Sequence, residues 1–133
     1  MFVYTHKVHY YETDRMGVTH HSNYFRFMEE ARVAYLDSIG ASYAQTEADG
    51  IISPVIGIEG KFRHTTTFDD VIEIAVCIRE LSALKLRIGY TMTCGGQTVF
   101  EGWSLHCFLD KAGKPIDIAA RYPQFNPFKS QQG

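Results

Sequence analysis

Tyr10-Tyr11-Glu12-Thr13-Asp14-Arg15-Met16-Gly17, followed at once by Val18-Thr19-His20-His21-Ser22-Asn23-Tyr24, marks a change of hydrophobic period in this chain of 133 residues. Upstream, residues 2–11 are rich in aromatic and β-branched side chains and predict a strand. Alternation puts Phe2, Tyr4, His6, Val8 and Tyr10 on one face, with Val3, Thr5, Lys7, His9 and Tyr11 on the other. Downstream, a helix is expected from about residue 23 to 39, with Ser22 as N-cap and Gly40 as the stop. Its row Tyr24, Phe27, Met28, Ala31 and Tyr35 is apolar, and the row Phe25, Glu29, Arg32 and Leu36 is mixed. Only Arg26, Glu30 and Asp37 form a plainly solvated row, so the helix is expected to be covered on most sides. Glu29 and Arg32, three residues apart, are expected to pair and so lower the cost of burying either charge.

Residues 41–50 predict a short second helix before Asp49-Gly50. From Ile51 the period becomes 2, and residues 51–63, 71–80, 84–94 and 97–109 predict four strands. Asp69-Asp70, Leu81-Ser82-Ala83 and the Gly95-Gly96 turn divide them, and such short links make the strands antiparallel. Inward-facing sets are Ile72, Ile74, Val76 and Ile78, then Leu84, Leu86, Ile88, Tyr90 and Met92. Lys111 to Pro115 is a turn, Arg121-Tyr122-Pro123 closes the ordered part, and residues 129–133 are expected to fray. The expectation is one α+β domain over residues 1–128, a curved antiparallel sheet wrapped around one long central helix. Such a layer leaves one sheet face open, which predicts self-association.

Hydrophobic residues make up 45% of the chain and charged residues 21%, as in ordinary globular proteins. A formal net charge of -2 argues against non-specific nucleic-acid binding, while leaving room for an anionic small ligand on a local basic cluster. Three cysteines, odd in number and without metal-type spacing, suit free thiols in a reducing compartment. The N-terminus lacks a basic region leading into an apolar run, and no apolar run approaches ~18 residues, so a cytoplasmic protein with no membrane span is expected. No metal is expected either. His20 and His21 are adjacent and point apart, His6 and His9 alternate across the predicted strand, and no His-x3-His pair exists.

Asp14 sits on a Gly-containing loop just ahead of a helix start, where backbone N–H groups lack intrahelical partners. Aspartic acid side chains are ordinarily ionised at neutral pH. A carboxylate beside such N–H groups suits acyl chemistry, one attacking or activating water while the others hold the oxyanion. The plainer reading is that Asp14 bonds the backbone two residues on and caps a turn. Glu29 and Glu30 are second-choice carboxylates on the helix.

On Asp14-Arg15-Met16-Gly17, Tyr24 and Glu29-Glu30-Ala31-Arg32, together with the strand order, the chain resembles the hotdog-fold acyl-CoA thioesterases over roughly residues 3–125. Within them it is similar to the 4-hydroxybenzoyl-CoA thioesterase group and the Tol–Pal-associated acyl-CoA thioesterases. The resemblance implies hydrolysis of an acyl-CoA to free acid and coenzyme A, with Asp14 as the catalytic carboxylate and His21 and Tyr10 assisting. It places the oxyanion donors in the backbone of His21 and Ser22, makes coenzyme A part of the substrate, and implies no cofactor. Coenzyme A phosphates need basic partners, for which Lys61, Arg63, His64, Lys85 and Arg87 are candidates. A homodimer with sites across its interface, paired into a tetramer, is implied as well. Arg15-Met16 and His20 depart from the residues usual in close relatives, which leaves the acyl group open. An acyl-carrier-protein thioesterase and a non-catalytic acyl-CoA-binding sensor are the alternatives.

Overall fold

The computed structural model describes residues 1–129 and is of the expected α+β class, with one five-stranded antiparallel sheet and helices. The strands are β1 (Phe2–Lys7), β2 (Val55–Phe62), β3 (Val71–Leu81), β4 (Lys85–Cys94) and β5 (Gln97–Cys107). Their order across the sheet is β1-β3-β4-β5-β2. Consecutive hairpins join β3, β4 and β5 as expected. β2 departs from a simple meander, because it pairs with β5 and not with its sequence neighbour β3. The segment 63–70 therefore carries the chain from one sheet edge back toward the other, and β1 closes that second edge against β3. Lys129 bridges to Leu81, and the rest of the segment expected to fray lies outside the described residues.

Helix α1 (Ser22–Ser38) is the one helix longer than six residues among those described. Its apolar row is buried throughout, and Tyr24 stacks on Phe100 of β5 with ring centroids 5.2 Å apart. The outward side is more open than the stripe suggested: Arg26, Glu29, Glu30 and Asp37 are exposed and Val33 and Ala34 only half-buried. Gly40, at φ +79, ends it as expected, with Ala41 N–H returning to the Leu36 carbonyl. The short helix expected in residues 41–50 is α2 (Tyr43–Ala48), capped by the Ser42 hydroxyl on Gln45 N–H. The C-terminal part does more than close the chain. Helix α3 (Ile118–Arg121) leads into a 3-10 segment, Pro123–Phe128, that buries Phe125 completely in the core.

The expected Glu29–Arg32 pair does not form. Glu29 points to solvent, while buried Arg32 donates to the phenol oxygens of Tyr43 (2.9 Å) and Tyr90 (3.2 Å). A side chain three residues away on the helix surface cannot follow a guanidinium that turns inward to the sheet. Arginine only donates, so the Tyr90 oxygen accepts from it, and the same hydroxyl lies 2.7 Å from Ser104 Oγ. Ser104 Oγ is in turn hydrogen-bonded to His106 Nε2 (2.7 Å). The other ring nitrogen, His106 Nδ1, is buried with no partner among the described residues. Burial, then the nearby Arg32 charge, holds the His106 pKa down at about 3.

An unfolded chain protonates that ring near its ordinary 6.5. Between the two values the unfolded state binds more protons, so stability is full above pH 6.5 and falls as pH drops toward about 3. His106→Gln is expected to flatten this acid limb, which urea denaturation over that pH range measures directly.

Candidate functional site

The loop that carries Asp14 is assembled on Glu12. β1 stops at Lys7, short of the expected strand end, because the buried Glu12 carboxylate reaches back to His9 N–H (2.7 Å) and folds Tyr10–Glu12 into a 3-10 turn. The Glu12 carbonyl accepts from His20 N–H (2.8 Å) and from the buried amide of Asn23 (2.8 Å), closing the loop onto the start of α1. Inside the loop, Asp14 N–H bonds Val18 O (2.9 Å) and Gly17, at φ +80, returns its N–H to Asp14 O (3.0 Å). The crossing segment props the loop from outside: Thr19 N–H bonds Thr66 O (2.8 Å), and the Thr67 hydroxyl bonds Gly17 O (2.6 Å).

Asp14 is half-buried, and its Oδ1 accepts from Met16 N–H (2.9 Å). The turn-capping reading is therefore correct for one oxygen. Oδ2 has no hydrogen-bond partner among the described residues, so the carboxylate is oriented without being used up. It lines a cleft of about 280 Å³ together with His21, Tyr24, Phe62, Arg63 and His64. His21 stands as the N-cap of α1, where Ser22 was expected. The His20 ring explains this, since its Nδ1 accepts from Ser22 N–H (3.2 Å) and lies 2.8 Å from the Ser22 hydroxyl. Ser22 N–H is thus occupied locally, whereas His21 N–H has no partner among the described residues. Of the two expected donors, only the His21 amide is free.

The back of the cleft is fixed by packing. Tyr24 bonds Thr66 Oγ1 (2.9 Å), which bonds Thr19 Oγ1 (2.6 Å), and burial pushes the Tyr24 phenol up, keeping it a neutral hydroxyl. Phe100 reaches Tyr24 because Gly60 and Gly102 face each other across β2 and β5. A Cβ on Gly60 would strike the Phe100 ring, and one on Gly102 the Glu59 carbonyl.

The remaining candidates divide. Arg63 and His64 line the cleft, with Arg63 also paired to Glu101 (2.9 Å). Lys61 opens onto the outer sheet face beside Arg79 and Trp103. Arg87 lies over the Trp103 ring (4.2 Å) and near Glu80 (3.6 Å). It sits five residues along β4 from Met92, which pairs with Phe100 behind the cleft, a separation of ~17 Å; Lys85 is farther still. Tyr10 is 76% exposed, meets Phe68 edge-on (5.6 Å), and does not line the Asp14 cleft. Neither do Glu29 and Glu30. His6 and His9 correct the alternation argument. Because His9 lies beyond the strand end, their rings come within 5.4 Å of each other. Glu12 and Asn23 went unnoticed in the sequence, although His-x-x-Glu before a helix-like turn is a capping-box spacing.

The thioesterase-like superfamily profile matches residues 8–130. An Aquifex aeolicus protein provisionally named an esterase is 33% identical over 117 residues, 88% of this chain and 91% of that protein. A Bacillus subtilis protein provisionally named acyl-CoA thioesterase YneP is 29% identical over 122 residues, 90% of this chain and 88% of its own length. The structure of a DHNA-CoA thioesterase from Staphylococcus aureus superposes with TM-score 0.87 at 27% identity, covering 94% of this chain and 85% of that one.

Removing the Asn23 amide leaves the Glu12 carbonyl with one donor in place of two. Asn23→Ala is expected to lower stability by about 1–2 kcal/mol and to speed hydrogen exchange at His20 N–H, read by urea denaturation and amide exchange.

Proposed function

We propose that this chain, which belongs to the thioesterase-like superfamily, hydrolyses acyl-CoA thioesters to the free acid and coenzyme A. One observation carries the reading. Asp14, whose carboxylate keeps an unoccupied oxygen, and His21, whose helix-start amide is unpartnered among the described residues, line the same cleft. In this scheme the thioester oxygen faces His21 N–H, which holds the negative charge that develops on attack at the carbonyl carbon. Asp14 either takes a proton from an attacking water or attacks itself to give a mixed anhydride that water then cleaves. In both routes the C–S bond breaks, the sulfur leaves as a thiolate, and the acid keeps an oxygen from water. The exposed His21, which lines the cleft, would position that water. The names of the Bacillus and Staphylococcus relatives favour a coenzyme A carrier over a carrier protein. Arg63 and His64, which line the cleft, would meet its phosphates, and we assign the chain to the 4-hydroxybenzoyl-CoA and Tol–Pal-associated group on its Asp14 to Gly17 motif. A cytoplasmic setting suits three free thiols.

A homodimer fits the edges of the sheet. β2 is an edge strand that exposes Val55, Ile56, Ile58 and Phe62, each about half, and Phe62 also borders the cleft. An open hydrogen-bonding edge with this much apolar surface invites a second copy, which would close the cleft and bring Tyr10 or the distant basic residues toward a neighbouring site. Pairing of such dimers into a tetramer completes the proposal.

Asp14→Asn is expected to lower thiol release from acyl-CoA by about 10²–10⁴-fold with little change in folding. Turnover at the parent rate would refute the assignment. Wild-type protein that binds acyl-CoA yet releases no thiol would point to a sensor, and activity confined to acyl-carrier protein would change the carrier. Ile58→Asp should shift the dimer toward monomer in sedimentation velocity; an unchanged mass would remove β2 from the interface.

A further inference from the structure

We propose a second site in this molecule, for a divalent first-row transition metal such as Zn2+, formed by His6, His9 and Glu12. One donor atom from each lies within 4.8 Å of the other two. Two imidazoles and one carboxylate are a donor set that zinc and its neighbours accept, with a position left for water. The surroundings are those of a built site. His6 and Glu12 are buried, while His9 is exposed and gives access from solvent. The His6 ring packs on Phe27 at 4.1 Å, and the His9 ring stacks on Tyr11 at 5.2 Å, so both are oriented before anything binds.

The carboxylates around His6 point to a cation. Its Nδ1 lies 3.0 Å from Glu30 Oε2, which also accepts from the Tyr4 hydroxyl (3.3 Å), and its Nε2 lies 2.8 Å from Glu12 Oε1. A carboxylate beside the second ring nitrogen is the usual support of a metal-bound histidine. One imidazole thus stands between two carboxylates, an arrangement that a positive charge at the ring stabilises. A second ring proton supplies that charge in one case, a metal ion in the other. Zn–N and Zn–O lengths put donors roughly 3.3 Å apart in a tetrahedral site. His6 and Glu12 need to separate by about 0.5 Å for this, and His9, on an exposed turn, to close by up to ~1.5 Å. The ion would clamp the Tyr10–Glu12 turn to β1 two residues before Asp14.

Calorimetric titration of the full chain with Zn2+ tests the site, with Co2+ absorption as a spectroscopic check. One saturable equivalent is expected, with a rise in melting temperature. Glu30→Gln should weaken binding by about 10–100-fold, and His9→Ala by at least as much, while His20→Ala leaves the affinity unchanged. His9 is exposed, so its variant is expected to keep the wild-type circular dichroism. No saturable binding, which would assign the charge to a proton on His6, overturns the proposal. So does an affinity indifferent to His9→Ala.

Discussion

The buried side chain and carbonyl of Glu12 form the junction on which the site depends. Through them the end of β1, the first turn and the start of α1 share one residue: His6 and His9 meet the carboxylate, His20 and Asn23 the carbonyl. A charged carboxylate at this depth is tolerable only because donors surround it. The same donors fix the loop in which Asp14 is oriented through one oxygen and left open through the other. Positioning of this kind costs nothing at the moment of reaction, which is why preorganised groups outperform mobile ones.

A second junction lies deeper. Arg32 is buried against phenols and not against an acid, and through Tyr90 it heads a hydrogen-bonded run to Ser104 and His106. Neutral acceptors solvate the guanidinium less completely than a carboxylate would, and the remaining field is felt at His106, whose ring is held uncharged. The helix is thereby registered against β4 and β5 by a polar thread through an otherwise apolar core, and a slide of one residue along the sheet would break it.

Much of this architecture is legible from period alone. The switch from 3.6 to 2 after Ile51 places all of the later strands within a few residues, and the buried row Tyr24, Phe27, Met28, Ala31 and Tyr35 follows from spacing. The place of Asp14 beside the helix start is legible because a carboxylate, a glycine and a helix start stand close together in sequence. What spacing does not carry is partner choice. Arg32 prefers Tyr90, 58 residues away, over Glu29 nearby, and β2 prefers β5 over β3. The early end of β1 and the displaced N-cap share one cause: polar side chains, Glu12 and His20, competing for backbone donors against the regular pattern. Phe125 escaped notice because Pro123 read as punctuation, although a 3-10 segment admits it at its start.

The crossing segment between β2 and β3 has a consequence for how the molecule is made. The lacing of Thr19 to Thr66 and of Gly17 to Thr67 spans 47 and 50 residues of chain. A nascent chain leaving the ribosome therefore carries Asp14 long before it carries the props that set its geometry, and the edge that receives β1 arrives later still with β3. Contacts so distant in sequence form slowly. The Asp14 loop is thus one of the last parts of this chain to reach its final geometry, set when the two ends of the sheet have met.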